Sequence, residues 1–487
     1  MFSEIAVASG LAVLYLYHVN RGMTGTPEEV SRLSPHRWTV DEIKAAYEDS
    51  IRNPVDVQKS LPPKQNRRYI VVGGAGFVGS WMVNHLLARG EDPSAIRILD
   101  LAAPRREILD QGVAFFKTNI ADEKAVATAF AQRWPEAVAN RPLTVFHNAA
   151  VIRPGERLKT FLPRCTDVNV GGTVNVLAAA KKAGASCLIS TSSGSVSLRS
   201  QSFWIAPWNK SPKGHVQVVD DSTPVPEEHY DFFSNYAASK SKAEKIVRAA
   251  DDLEGNFRTG CIRPANGIYG IGDTEGSLTT SYLRSGGSPA WLIDTMQNFV
   301  NAENVSIAHL LYEQRLIEHT NSPTTLPNIG GQSFLVTDPN PAPTYGDVYL
   351  LLHTLSKTPA NFPRVPPVPF LILSYLIEWY SFLQVVYFPW LPRITGDIAK
   401  MQPALFSITN VHYIADDSRA RKSPEQGGLG YAPPITTMYG MCKHLEVWNR
   451  EADQKKVAEV AEVAAKGVVS VSEEGVDVNL VVPPEKL

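Results

Sequence analysis

Tyr236 and Lys240 stand four residues apart in Tyr236-Ala-Ala-Ser-Lys240. That spacing puts a phenol and an ammonium on one face of a helix. A free phenol titrates near pH 10, too high for a base at neutral pH, and a cation one turn away favours the phenolate. The pair is therefore suited to carrying a proton. Well upstream, Gly73-Gly-Ala-Gly76-Phe77-Val78-Gly79 follows the β-rich run Tyr69-Ile-Val-Val72. Gly73 allows a tight turn, Gly76 lets a pyrophosphate approach the backbone, and Gly79 permits close helix–strand packing. The helix that begins at Phe77 and Val78 aims its positive end at the phosphates. Asp100 closes a second strand, Ile96-Arg-Ile-Leu-Asp100. A carboxylate there accepts hydrogen bonds from an adenosine ribose and repels a 2′-phosphate, which favours NAD over NADP. Arg105 and Arg106 follow closely and pull toward NADP. A dinucleotide cradle followed by a Tyr/Lys couple predicts transfer of a hydride.

A hydroxyl is needed to hold the substrate oxygen while Tyr236 moves the proton. The run Leu188-Ile-Ser-Thr-Ser192-Ser193-Gly-Ser195 offers several, at the end of the fifth β-rich segment. The elements that must position these groups alternate. Strands are expected near 69–72, 95–100, 113–117, 143–147, 186–191 and 258–263, with helices near 77–89, 122–133, 165–183 and 236–250. Such alternation predicts an α/β fold, a doubly wound parallel sheet wrapped by helices. The cofactor domain is expected over 69–270 and a smaller substrate-binding region over 271–450. Residues 21–68 read as a leader: Thr39-Val-Asp41-Glu42 caps a helix near 40–52, and Pro62-Pro63 marks a linker. Residues 451–487 read as the end of a last helix and a polar tail.

With 487 residues, 47 basic against 49 acidic side chains and 44% hydrophobic residues, the chain is an ordinary globular protein with nothing to attract nucleic acid. Its cysteines, Cys165, Cys187, Cys261 and Cys442, form no CxxC pair, so neither a disulfide framework nor a metal site is expected. Two apolar segments stand out. Ile5 to Val19 carries no charge and is followed by Arg21, Arg32 and Arg37, the pattern of an anchor over residues 1–20 that leaves the rest cytosolic. Phe370 to Leu391 holds one charge, Glu378, among many aromatics, which suits a membrane interface and the wall of a greasy pocket alike.

The constellation resembles the extended short-chain dehydrogenase/reductase superfamily over roughly residues 69–450, and within it the 3β-hydroxysteroid dehydrogenase family, the sterol-4α-carboxylate 3-dehydrogenase branch included. The residues that carry the resemblance are Gly-Gly-Ala-Gly-Phe77-Val-Gly, Phe146-His-Asn-Ala149-Ala150, Asp167-Val-Asn169-Val-Gly-Gly-Thr173, Thr191-Ser-Ser193, Tyr236-Ala-Ala-Ser-Lys240 and Ile262-Arg-Pro264-Ala-Asn-Gly-Ile-Tyr269-Gly. The resemblance implies a Rossmann-type fold, Ser193 as the substrate-binding serine beside Tyr236 and Lys240, and Ala149, Asn169 and Pro264 near the cofactor. It also implies that adenine packs at Ile120, where Asn119-Ile120 replaces the usual Asp-Ile/Leu. Val72 replaces a common threonine, and 43 residues separate Ser193 from Tyr236, about a dozen more than the family pattern. That insertion carries Phe203-Trp204-Ile-Ala-Pro-Trp208. The expected function is NAD(P)-dependent interconversion of a secondary alcohol and ketone on a bulky apolar ring such as a sterol or triterpenoid, with decarboxylation where a 4-carboxylate is present. The resemblance places it at the endoplasmic reticulum membrane with the catalytic domain facing the cytosol. A nucleotide-sugar reductase or epimerase and a silent cofactor-binding scaffold are the alternatives, and the oligomeric state is left open.

Overall fold

Four consecutive apolar residues, Tyr69 to Val72, make a strand buried on both faces, which only a parallel sheet covered on both sides tolerates. The computed structural model, which describes residues 2–273, 278–322 and 325–471, shows such a sheet.

The chain opens with helix α1 (Phe2–Thr24), longer than the apolar run alone suggests, and helix α2 (Val40–Arg52), which starts on a Thr39/Glu42 capping box. The wound part then runs β1 (Arg68–Val72), α3 (Phe77–Ala88), β2 (Ile96–Asp100), β3 (Ala114–Lys117), α4 (Glu123–Phe130), β4 (Leu143–His147), α5 (Gly172–Lys182) and β5 (Ala185–Thr191). After the insertion, which holds β6 (Val216–Val219), come α6 (Asn235–Ala249), β7 (Arg258–Pro264), the short strands β8 (Ile268–Tyr269) and β9 (Val300–Asn301), α7 (Ala302–Asn321) and β10 (Ser333–Val336). Helix α8 (Pro367–Val386), β11 (His412–Ala415) and α9 (Thr437–Val471) complete the description. The end of the polar tail, 472–487, lies outside the described residues.

The main sheet has the order β10-β7-β5-β4-β1-β2-β3, every pair parallel. The chain starts in the middle, winds outward to β3, then returns to β4 and winds the other way. The reversal falls between β1 and β4, the crevice where doubly wound sheets bind ligands. The seventh strand comes from 333–336, beyond Gly270. The long insertion is also woven in, since β6 pairs with β11 of the C-terminal region.

Close packing at the crevice leaves no room for side chains on the glycines. Gly73 has φ +80°, and a β-carbon there would sit 2.5 Å from the amide nitrogen of Ala149, just beyond the neighbouring strand β4. One on Gly79 would overlap the Gly73 carbonyl oxygen, so α3 lies directly on the turn it leaves. We expect Gly79→Ala to destabilise the fold by roughly 1–3 kcal/mol through overpacking and to weaken dinucleotide binding. Thermal unfolding and cofactor titration of the same preparation check both.

Candidate active site

Three successive turns of α6 meet three successive residues at the end of β5. The Ser193 hydroxyl lies near enough to Tyr236 to favour its phenolate. Lys240 donates from Nζ to the Thr191 carbonyl oxygen at 2.6 Å. Glu244 accepts from the Ser192 hydroxyl at 2.5 Å and from both arms of Arg263 on β7, at 2.8 and 2.5 Å. The helix presents these residues on one face because they recur every four positions, and it begins where Ser234 caps the Ala237 amide. Glu244 escaped the sequence reading. Its signal was its register, four residues beyond Lys240, on a face that must be buried.

Burial governs the electrostatics. It pushes the Tyr236 phenol up to about 12, opposed by the Ser193 hydrogen bond, with the nearby Cys165 adding to the rise. The expectation of a phenol lowered by Lys240 is therefore not met by the protein's own field. Lys240 lies buried and directs its ammonium to a backbone carbonyl, while burial brings it down to about 8 against the attraction of Cys261 and Glu244. Two imidazoles face it and stay neutral. Burial takes His147 down to about 3 and His309 to about 4, and the Lys240 charge pushes both the same way. Burial also opposes charge on Glu244, but the Arg263 hydrogen bonds and charge outweigh it and hold the carboxyl below its usual range.

The cofactor candidates gather along the carboxyl ends of the strands. The Asp100 carboxylate closes β2 and accepts the amides of Ala75, in the glycine turn, and Leu101, at 2.9 and 2.7 Å. Helix α3 starts at Gly76 with no side chain capping its first turn, so Phe77, Val78 and Gly79 open that turn with backbone amides toward the crevice. Ala149 follows β4 and packs on Gly73. Ile120 is buried beyond β3 against Gly172, and Pro264 ends β7 beside Gly194. This arrangement fits a dinucleotide: amides for the pyrophosphate, a carboxylate for the adenosine ribose, and Tyr236 and Lys240 at the far end of the crevice. The Arg105 guanidinium packs on Gly272.

Asn169 sits in a π-helical turn, Asp167–Gly171, and its amide is spent on the protein. It bonds both backbone groups of Val151 and the Ser239 hydroxyl, tying the loop after β4 to α6. The insertion also has a role in packing. Phe203 and Ile205 are buried with Val19 and Met23 of α1, Val368 and Leu371 of α8, and Phe406, while Trp208 is 83% exposed. Helix α8 buries the single charge of its segment: Glu378 takes a two-pronged hydrogen bond from Arg157, at 2.8 and 2.9 Å. All four cysteines are buried and unpaired.

Removing the Glu244 carboxylate strands the buried Arg263 guanidinium. We expect Glu244→Ala to cost about 3–5 kcal/mol of stability, and Glu244→Gln less, as read by denaturant unfolding. Lys240 makes a pH signature. Its folded value, about 8, lies below the ordinary 10.5, so between these the unfolded chain holds the extra proton and stability rises with pH. The stability of the wild type relative to Lys240→Met should improve by about 3 kcal/mol from pH 8 to 10.5.

Comparison with known proteins places the geometry in context. A model of the 3-beta hydroxysteroid dehydrogenase/isomerase family matches residues 70–361, more than half of the chain. A sterol-4-alpha-carboxylate 3-dehydrogenase, decarboxylating, of Saccharomyces cerevisiae is 27% identical over 390 residues, covering 77% of this chain and 96% of its own. The human protein of the same name is 27% identical over 392 residues, covering 80% and 90%. Among solved structures, the UDP-glucose 4-epimerase of Thermotoga maritima superposes with a TM-score of 0.52 over 79% of this chain and 99% of that one, at 18% identity. That likeness is one of fold.

Proposed function

The chain belongs to the 3-beta hydroxysteroid dehydrogenase/isomerase family, and on that footing we propose that it oxidises the 3β-hydroxyl of a sterol or related triterpenoid with NAD, releasing an adjacent 4-carboxylate as CO2. The observation that carries the proposal is the meeting of Ser193, Tyr236 and Lys240 at the crevice edge of β5, beside the glycine turn. Relatives over three quarters of this chain or more bear the name of that reaction.

The chain's own residues divide the work. Ser193 reaches both Tyr236 and Ser195, so its hydroxyl is already oriented to hold the substrate oxygen. Tyr236 takes the hydroxyl proton as the carbinol carbon gives up its hydride. When bound, NAD accepts that hydride, and its positive ring adds to the field that favours the phenolate. Lys240 supplies the other positive charge while its bond to Thr191 keeps the ammonium on the β5 edge. Oxidation beside a carboxylate yields a β-keto acid. Its C–CO2 bond breaks with the electron pair passing into the enolate, so no separate decarboxylation residue is needed. Arg263 and Glu244 act behind these groups, holding strand ends and helix in register.

The apolar surface supports a membrane-docked enzyme of the endoplasmic reticulum, its catalytic domain on the cytosolic side. Ile5, Val7, Leu11, Leu14 and Tyr17 of α1 are exposed, as are Leu373, Leu376 and Trp379 of α8. Among the described residues α8 alone has the length and composition to cross a bilayer, with 33% of its apolar window buried. The likeness to a nucleotide-sugar epimerase is one of fold alone and does not favour that substrate class.

The test is NADH formation by detergent-solubilised protein with 3β-hydroxysterols bearing or lacking a 4-carboxylate. Turnover is expected, with Tyr236→Phe lowering kcat by at least about 10³-fold, roughly 4 kcal/mol of barrier. Silence toward every sterol, with NAD binding retained, overturns the proposal.

A further inference from the structure

We propose that Arg153 and Arg164, joined through Glu156 beside the catalytic tyrosine, receive the carboxylate that the substrate carries next to the carbon being oxidised. The inference rests on the dehydrogenase reading above and adds the side chains that select an acidic over a neutral sterol.

The loop after β4 carries three arginines, Arg153, Arg157 and Arg164, and two of them are underused. Arg157 spends its fork on Glu378. Arg164 and Arg153 both donate to one atom, Glu156 Oε1, at 2.7 and 3.3 Å. Two cations sharing one anion leave a net positive charge. Each guanidinium has five N–H donors, so the contact with Glu156 leaves most of them available. The shared carboxylate is buried, 8% exposed, and its Oε2 has no hydrogen-bond partner, whereas the Arg153 and Arg164 side chains are 45% and 40% exposed. The cluster is thus an anchored fork with its cationic side open.

Its place in the fold is next to the reaction. The backbone oxygen of Glu156 accepts the amide of Asn235 at 2.8 Å, and the Asn235 side chain donates to Leu158 at 2.9 Å. Asn235 directly precedes Tyr236, so the loop is stitched to the first turn of the catalytic helix. Cys165, adjacent to Arg164, lies close enough to influence the Tyr236 phenol. A substrate carboxylate one carbon from the carbinol would raise that phenol further unless a cation compensates it. A planar guanidinium meets a carboxylate with two parallel N–H bonds and keeps its charge at every relevant pH, which a lysine at the same place does less well.

The experiment compares kcat/KM for a 4-carboxylated 3β-hydroxysterol with that for the same sterol lacking the carboxylate, in the full-length solubilised protein. The double substitution Arg153→Gln/Arg164→Gln is expected to lower the acid-to-neutral ratio by about tenfold or more, the loss of charged hydrogen bonds, mostly through KM for the acid. Arg153→Lys should keep part of the ratio, and Lys159→Gln, an exposed charge on the same loop, should leave it unchanged. Should the double variant fail to fold, Arg153→Gln alone, at an exposed position, is read in the same way. An unchanged ratio, or equal losses on both sterols, overturns the inference while leaving the dehydrogenase reading intact. Wild-type protein that turns over neither sterol overturns that reading and the inference with it.

Discussion

The face of α6 that carries Tyr236, Lys240 and Glu244 must lie along the end of β5 in one register, and most of the site follows from that fit. Glu244 fixes it. Its carboxylate is saturated by Ser192 and by Arg263, which belongs to the next strand, so helix, β5 and β7 are locked at one point. A buried pair of this kind contributes little net stability against an apolar substitute, since desolvating two charges offsets their attraction. What it secures is geometry, because any other register would leave a charge buried and alone. With the register set, Lys240 meets the Thr191 carbonyl and Tyr236 stands beside the Ser193 hydroxyl.

The same economy appears around the site. The loop after β4 is fastened by hydrogen bonds to Asn169, Asn235 and Glu378, and each partner sits on a different element. Helix α8 is docked through Glu378 on one side and Leu371 and Val368 on another, which leaves Leu373, Leu376 and Trp379 facing outward. The insertion between Ser193 and Tyr236 joins α1 to α8 through Phe203 and Ile205 and supplies β6 to pair with β11. An apolar surface built by three segments far apart in sequence therefore adjoins a loop stitched to α6.

Much of the fold was legible in the chain. Buried parallel strands read as unbroken apolar runs, and β1, β2, β4, β5 and β7 fall within a residue or so of their expected bounds. The seventh strand, Ser333–Val336, was not foreseen, because three apolar residues among prolines carry no periodic signal. The helix expected over 165–183 is interrupted by a π-turn that aims Asn169, and a local wide turn leaves no mark in composition. The pKa of Tyr236 was expected to fall with Lys240 nearby. The cost of burial is a property of the packed environment, and it carries the phenol the other way.

Residue types and spacing by themselves determined the reaction class: glycines where only a hydrogen fits, a carboxylate at the end of the second strand, and a phenol and an ammonium one turn apart. Those are local requirements, and local sequence expresses them. Tertiary structure alone decided which acid holds α6, which of the arginines after β4 keep spare donors, and which faces of α1 and α8 stay uncovered. Each of these depends on which elements pack together, whether the partner is 19 residues away, as Arg263 is from Glu244, or 221, as Glu378 is from Arg157, or on the exclusion of water by surrounding atoms, and neither leaves a trace in the order of residues along the chain.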